Sequence, residues 1–196
     1  MRTSATPPSP DSFTVCVFCG SSRGDDPRFA AAARDLGQRI AQARWSLVFG
    51  GGDVGLMGET ARAVSALGQP VHGVLPEFLQ QQERPMSHGE SLELTVDLQS
   101  RKRRLLAIAD AFVLLPGGFG TLDEFFEVLT EAQLGVHQKP IILVDIAGYY
   151  GPLLALLEHV VRRGFARAES LNFVSRVPDV ATAIETLHAS TAPACR

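Results

Sequence analysis

The sequence of 196 residues lacks several features that would assign it to particular classes of protein. Its three cysteines are an odd number and give no disulfide framework. No run approaches the roughly 18 apolar residues of a membrane-spanning helix, and the N-terminus has no basic and then apolar signal pattern. A net charge of −3 argues against binding of nucleic acid through broad phosphate neutralisation. We therefore expect a cytoplasmic protein with no nucleic-acid or membrane partner.

Motifs for metal binding and covalent catalysis are missing as well. The five histidines show no metal-ligand spacing, and no carboxylate cluster suggests a divalent ion. No recognisable Cys and His pair supports covalent acyl chemistry. Cys16 and Cys19 form a CxxC inside an apolar run, where buried strand cysteines are more plausible than a redox or zinc site. We expect no metal and no cofactor.

Apolar runs and amphipathic segments alternate along the chain, which predicts a single α/β domain with a Rossmann-like, doubly wound, mainly parallel sheet flanked by helices. The domain is expected over residues 13–188, between a disordered leader at 1–12 and a flexible tail at 189–196. Residues 78–89 are polar and predict a surface loop. The predicted strands are 13–19, 45–49, 71–75, 92–96, 111–115 and 139–145, and the later helices are 101–109, 149–163 and 178–188.

The stretch around residues 110–131 combines a strand, a glycine turn and a helix. The turn contains Gly117, Gly118 and Gly120, and Thr121 is the predicted N-cap of the helix. Glycines let an anion approach the main chain, and the positive end of the helix dipole favours it, so the stretch predicts a phosphate cradle. The alternative is an ordinary βα turn in which Thr121 and Glu124, at N3, form a capping box.

Two other glycine turns follow predicted strands. Residues 20–24 include Ser21 and could hold a phosphate or ribose, or could be a loop capped by Asp25 or Asp26. Residues 50–58 match GxGxxG at Gly50, Gly52 and Gly55, which raises the alternative of a dinucleotide oxidoreductase. Glycines that only permit close packing of a helix on the sheet would give the same pattern.

A basic cluster, residues 101–104, opens the helix that precedes the central stretch. Arg101 and Lys102 lie within roughly 60° of the apolar stripe on a helical projection, whereas Arg103 and Arg104 lie further round. We expect the first two side chains to point into the protein and the second two to face solvent. Positive charge at a helix start is unfavourable unless an anion compensates it, so an anion is expected nearby.

These motifs together resemble the Lonely Guy (LOG) family of phosphoribohydrolases, which activate cytokinins. PGGFGTLDE at 116–124 is similar to the PGGxGTxxE signature, and Arg101-Lys102 resembles the Arg-Lys pair that precedes it. CGSS at 19–22, GGGDVGLMG at 50–58 and AQLGVHQKPI at 132–141 extend the resemblance from about residue 15 to 187. Members are often labelled lysine decarboxylases, but only Lys102 and Lys139 could supply the Schiff-base lysine of a pyridoxal enzyme.

The resemblance implies hydrolysis of the N-glycosidic bond of an adenine nucleoside 5′-monophosphate, N6-modified or plain. It implies Arg101 and Glu124 as catalytic residues and a homodimer with the site near the interface. The implied phosphate and nucleotide ligands are Gly117, Gly118, Gly120, Thr121, Ser21, Gly51, Gly52 and Lys102. Leu98, Gln99 and Ser100 depart from the family pattern, which leaves the preferred base open. A nucleotide-binding sensor without turnover stays the main alternative.

Overall fold

A seven-stranded sheet with helices on both faces accounts for residues 12–80 and 91–191, which are the residues that the computed structural model describes. The strands are β1 (Thr14–Phe18), β2 (Ser46–Phe49), β3 (Val71–Pro76), β4 (Ser91–Thr95), β5 (Ala111–Leu114), β6 (Ile141–Val144) and β7 (Val174–Val177). The helices are α1 (Pro27–Gln42), α2 (Gly55–Ser65), α3 (Leu98–Ile108), α4 (Phe119–Gln133), α5 (Gly151–Arg162) and α6 (Val180–Thr191). The strand order is β4-β3-β2-β1-β5-β6-β7, and every pair is parallel. The predicted α/β, Rossmann-like, doubly wound fold is confirmed.

The central strands are buried on both faces, as expected for a parallel sheet covered by helices. In β1, Val15 and Val17 pack in the layer that contains α1, α2 and α6. Cys16 and Phe18 point to the opposite layer, which contains α3, α4 and α5. Cys16 and Cys19 are buried free thiols, as the apolar run around them predicts. No helix within the described ranges is long and apolar enough to cross a bilayer.

Some boundaries differ from the sequence-based expectation. Strand β7 was not predicted, because it is a four-residue edge strand whose two middle residues are exposed and so lacks a continuous apolar run. Helix α6 continues to Thr191, so residues 189–191 of the predicted tail are helical. Ser12 also lies within the described part, where its hydroxyl is 3.0 Å from that of Ser46. The rest of the predicted leader and tail, and residues 81–89 of the predicted loop, lie outside the described residues.

The strand order reverses between β1 and β5. The chain after β1 leads to α1 on one face of the sheet, and the chain after β5 leads to α4 on the other face. The two connections therefore separate above the carboxyl ends of these strands and leave a crevice there. In open α/β sheets, ligands bind at this topological switch point.

Close packing of α1 on α2 supports the loops beside that crevice. Any side chain at Gly37 is therefore expected to destabilise the folded protein. A Cβ at Gly37 would overlap the carbonyl oxygen of Thr60 and lie 2.7 Å from the Cβ of Ala63. Because backbone cannot yield as a side chain can, we expect Gly37→Ala to lower the free energy of unfolding by about 1–3 kcal/mol in urea titrations. Gly151→Ala, where a Cβ meets nothing within 4 Å, is the matched control and should stay within about 0.5 kcal/mol of wild type. Equal effects of the two substitutions would contradict this packing.

Candidate active site

Gly20 joins the three glycine turns above the crevice. Its N–H donates to the carbonyl of Pro116 at 3.0 Å, and its own carbonyl accepts from the N–H of Leu56 at 2.9 Å. The turn after β1 is therefore hydrogen-bonded to the turn after β5 and to the first turn of α2. These bonds fix the relative positions of three segments that the sequence analysis could only treat separately.

Helix α4 begins three residues earlier than expected, and this removes the predicted capping box. The N-cap is Gly118, and no side chain among the described residues caps the helix. Thr121 is the third helical residue and is buried, because it packs beneath the turn where a Cβ on Gly117 would overlap its hydroxyl. Glu124 is consequently the sixth helical residue rather than N3. The first N–H groups of α4 are left facing the crevice, as a phosphate cradle requires.

Arg101 and Glu124 form a buried ion pair. Nη1 of Arg101 lies 2.9 Å from Oε1 of Glu124, and the side chains are 15% and 9% exposed. The second contact of the guanidinium is a hydrogen bond of 3.1 Å from Nε to the carbonyl oxygen of Val74, at the end of β3. The prediction that Arg101 points into the protein is confirmed.

Burial dominates the titration of Glu124. Desolvation raises the pKa of Glu124 from its ordinary value of 4.5 to about 7, although the nearby Arg101 guanidinium acts to lower it. The side chain is therefore divided between its acid and its carboxylate form near neutral pH. A carboxyl group in this state can give or accept a proton during a reaction.

A cavity of about 400 Å³ contains both the start of α4 and this ion pair. Six of the sequence-predicted site residues line it: Ser21, Arg101, Gly118, Gly120, Thr121 and Glu124. Gly117 lines an adjoining cavity of about 200 Å³, which shares Gly20 and Gly118 with the first. The larger cavity is within the size range of small-molecule sites.

Three other predicted residues lie elsewhere. Gly51 packs against β3 and β4, since a Cβ there would lie 3.2 Å from Leu75 and 3.0 Å from Leu92. Gly52 is buried and does not line the cavity. The ammonium of Lys102 lies 2.9 Å from Glu127 and 3.1 Å from Asp123, and none of these three residues lines the cavity. Lys102 is therefore buried, as expected, but its partners are carboxylates of α4.

The GxGxxG turn is explained by contacts within the protein. A Cβ at Gly55, which has a φ of +58°, would overlap the backbone of Ser21 and Ser22. A Cβ at Gly50 would overlap Nη2 of Arg101. These glycines permit close packing, which was the alternative to a dinucleotide site.

Two acidic residues near this turn are neutralised by arginines. Asp53 pairs with Arg62, and Glu59 pairs with Arg23 and with Arg34, the latter at 3.0 Å. These cations lower the pKa of Glu59 despite the opposing effect of its burial. Neither acid lines the cavity, so their charges do not oppose an anion there.

The anion expected beside the basic start of helix α3 is the carboxylate of its N-cap residue, Asp97. The helix begins at Leu98, three residues before the predicted start, and the carboxylate of Asp97 accepts from the N–H of Ser100 at 2.6 Å. Asp97 thus compensates the basic residues of the first turns. Arg103 is exposed, as expected, whereas Arg104 is partly buried and donates to Glu93 at 2.9 Å.

The sequence analysis did not identify the apolar part of the cavity wall. The thiol of Cys19 lies there, and burial raises the pKa of Cys19 far above its ordinary value, so it stays protonated. Phe119 stands at the rim and is 92% exposed. Gly20, Gly50, Met57 and Leu79 also line the cavity, and so does Leu98, one of the residues on which the preferred base was expected to depend. Leu98 was recognisable in the sequence, because it departs from the family pattern three residues before Arg101.

Comparison with known proteins identifies the family. The sequence model of a family described as possible lysine decarboxylase matches residues 57–187. A probable cytokinin riboside 5′-monophosphate phosphoribohydrolase LOG4 of Oryza sativa subsp. japonica is 44% identical over 81% of this chain and 69% of its own length. Cytokinin riboside 5′-monophosphate phosphoribohydrolase LOG7 of Arabidopsis thaliana is 40% identical over 88% of this chain and 80% of its own length. The chain belongs to the LOG family.

More distant structures share the fold of this LOG protein. The molybdenum cofactor binding protein of Rippkaea orientalis superposes with a TM-score of 0.70 at 22% identity, over 94% of this chain and 100% of that one. A Moco carrier protein of Chlamydomonas reinhardtii gives a TM-score of 0.68 at 20% identity, over 91% and 96% of the two chains. At these identities the likeness concerns the fold alone.

The residues present do not fit a pyridoxal-dependent lysine decarboxylase. Such an enzyme holds its cofactor on a lysine as a Schiff base. Lys102 is paired with Asp123 and Glu127, and Nζ of Lys139 donates to the carbonyl of Leu106 at 2.6 Å. These are the only lysines of the chain, and neither lines the cavity.

Glu124 makes the stability of the LOG fold depend on pH. Between its ordinary pKa of 4.5 and the folded value of about 7, the folded protein keeps a proton that the unfolded chain has lost. The free energy of unfolding therefore falls as pH rises through this window. Relative to Glu124→Gln, wild type should lose stability on the order of 3 kcal/mol between pH 4.5 and pH 8.

Urea unfolding of both proteins across this pH range measures the difference. The glutamine variant keeps the size of the side chain but cannot titrate, so other ionisable groups cancel in the comparison. A difference between the two proteins that is independent of pH would contradict the raised pKa of Glu124.

Proposed function

We propose that this protein hydrolyses the N-glycosidic bond of adenosine 5′-monophosphate or an N6-modified form of it, releasing the free base and ribose 5-phosphate. The relatives named above are cytokinin riboside 5′-monophosphate phosphoribohydrolases. The observation that carries the proposal is that Glu124, buried and paired with Arg101, lies in the same cavity as the N-terminus of α4. One cavity thus offers an anion site and a carboxyl group.

The phosphate binds at the start of α4. The N–H groups that follow Gly118 are uncapped by side chains of the described residues, and the dipole of this 15-residue helix favours an anion there. A Cβ at Gly118 or Gly120 would meet nothing within 4 Å, so the space beside the main chain is open to a ligand. Thr121 and Ser21 line the same cavity and add hydroxyl donors.

The glycosidic bond lies towards Glu124 and Arg101. Cleavage of the bond between C1′ and the base nitrogen develops positive charge on the ribose, and a carboxylate beside it stabilises that charge. Glu124 as carboxylate accepts a proton from the attacking water, whose oxygen bonds to C1′. The departing base nitrogen takes up a proton from solvent, and Glu124 afterwards releases to solvent the proton that it took from the water. Arg101 holds Glu124 and the ribose or base in place. A pKa of about 7 lets Glu124 accept a proton near neutral pH.

Chromatography of the protein incubated with AMP and with N6-isopentenyl-AMP tests this proposal. We expect free base and ribose 5-phosphate from at least one substrate, and Glu124→Gln should lower kcat by about 10²–10⁴-fold, because the general base is lost. Glu131→Gln, on the same helix but outside the cavity lining, is the matched control and should keep wild-type activity. The ratio of the two rates identifies the preferred base.

Binding without cleavage would overturn the catalytic assignment. If both nucleotides bind to wild type but neither is cleaved, the protein is a nucleotide-binding sensor. If neither nucleotide binds but NADH does in a fluorescence titration, the protein is a dinucleotide-binding protein instead.

We also propose that the protein is a cytoplasmic homodimer. An apolar groove of about 420 Å³ lies between α4, α5 and residues 165–174, and Phe165 beside it is 86% exposed. Such an exposed apolar surface is typical of an interface. Phe126 and Leu129 of α4 line this groove, while Glu124 of the same helix lines the cavity. A second copy seated in the groove would therefore contact the helix that carries Glu124.

Light scattering after gel filtration should give twice the mass of one chain. Phe165→Glu should shift the protein towards the mass of one chain, because it places a charge in the apolar interface. Leu134→Glu replaces another exposed apolar residue, 73% exposed and outside the groove, and should leave the mass unchanged. A wild-type protein with the mass of one chain would contradict the dimer.

A further inference from the structure

The guanidinium of Arg101 is held from three sides. Nε donates to the carbonyl oxygen of Val74 at 3.1 Å, and Nη1 lies 2.9 Å from Oε1 of Glu124. Nη2, the third nitrogen, lies over Gly50, at the carboxyl end of β2. The first two contacts are polar, whereas the third is a close approach of Nη2 to the main chain of a residue without a side chain.

The space that a side chain at Gly50 would occupy is taken by the guanidinium of Arg101. A Cβ at Gly50 would overlap Nη2 of Arg101, but the next atoms are Cζ of Arg101 and Sδ of Met57, both at 3.4 Å, which is ordinary contact. The φ of Gly50 is not among the positive values, so the backbone does not require glycine. The absent side chain therefore serves the placement of one guanidinium group.

We propose that Gly50 is a positioning residue, whose missing side chain allows the guanidinium of Arg101 to reach Glu124. This inference rests on the proposed function for the roles of Arg101 and Glu124. It assigns to the first glycine of the GxGxxG turn a task that involves no contact with a phosphate.

A methyl group at Gly50 would move the tip of Arg101 and leave the fold intact. The overlap involves only the end of a long side chain, which can turn away at little cost. Glu124 would then lose the cation that opposes its desolvation, and its pKa would rise above the wild-type value of about 7. A smaller fraction of Glu124 would be ionised at neutral pH, and Arg101 would be misplaced for the substrate.

A double-mutant cycle of Gly50→Ala and Arg101→Ala tests the proposal with AMP or N6-isopentenyl-AMP as substrate. We expect Gly50→Ala to lower kcat/KM at least about tenfold and Arg101→Ala about a hundredfold. In the Arg101→Ala background, Gly50→Ala should change kcat/KM less than about twofold, since no guanidinium remains to be displaced. A loss of tenfold in that background would overturn the proposal, because Gly50 would then act on substrate or backbone directly.

Gly151→Ala is the control for adding a methyl group to a glycine, as a Cβ there meets nothing within 4 Å. Gly50→Ala and Gly151→Ala should unfold thermally within about 5 °C of wild type. A larger fall for Gly50→Ala alone would overturn the proposal, since it would show a structural need for glycine.

A carboxyl NMR titration of Glu124 gives a readout that does not depend on turnover. The resonance is assigned by its loss in Glu124→Gln. Gly50→Ala should raise the measured pKa of Glu124 in the wild-type background and leave it within about 0.3 pH unit in the Arg101→Ala background. An unchanged pKa in the wild-type background would overturn the proposal. If wild type cleaves neither nucleotide, the proposed function fails, and this titration still decides the role of Gly50.

Discussion

A carboxyl group buried in the wall of a cavity needs a cation, and the surroundings of Glu124 are arranged to supply one. Helices α3 and α4 pack on the same face of the sheet and are joined by neighbouring ion pairs. Arg101 meets Glu124 in the cavity lining, and Lys102 meets Asp123 and Glu127 outside it. Two adjacent basic residues thus have different tasks: one belongs to the cavity, and the other holds the helix that carries Glu124.

The charge of Arg101 offsets only part of the effect of desolvation on the pKa of Glu124, and this suits the proposed chemistry. A stronger ion pair would keep Glu124 ionised far below neutral pH, and an unpaired one would keep it protonated far above. Desolvation outweighs the attraction of Arg101 just enough to leave the pKa near 7. A phosphate at the start of α4 would add negative charge and raise the pKa further, so binding and protonation of Glu124 are coupled.

The sequence allowed the sheet, most helices and the inward direction of Arg101 to be predicted, because each produces a periodic or continuous apolar pattern. Strand β7 produces none, since it is a short edge strand with exposed middle residues. The capping role predicted for Thr121 was wrong because its side chain packs under Gly117 instead of turning to the helix end. The apolar wall of the cavity gave little signal, because residues such as Met57 and Leu79 converge on it from separate loops.

Glycine turns of similar sequence have different physical roles in this protein, and the space beside each glycine distinguishes these roles. At Gly50 and Gly55 the position of a Cβ is already occupied by protein atoms, the tip of the Arg101 side chain at Gly50 and backbone at Gly55. At Gly118 and Gly120 that position is empty and borders the cavity. A ligand can approach the main chain only in the second case. The phosphate site therefore belongs to the turn after β5, although the turn after β2 matches the better-known nucleotide motif.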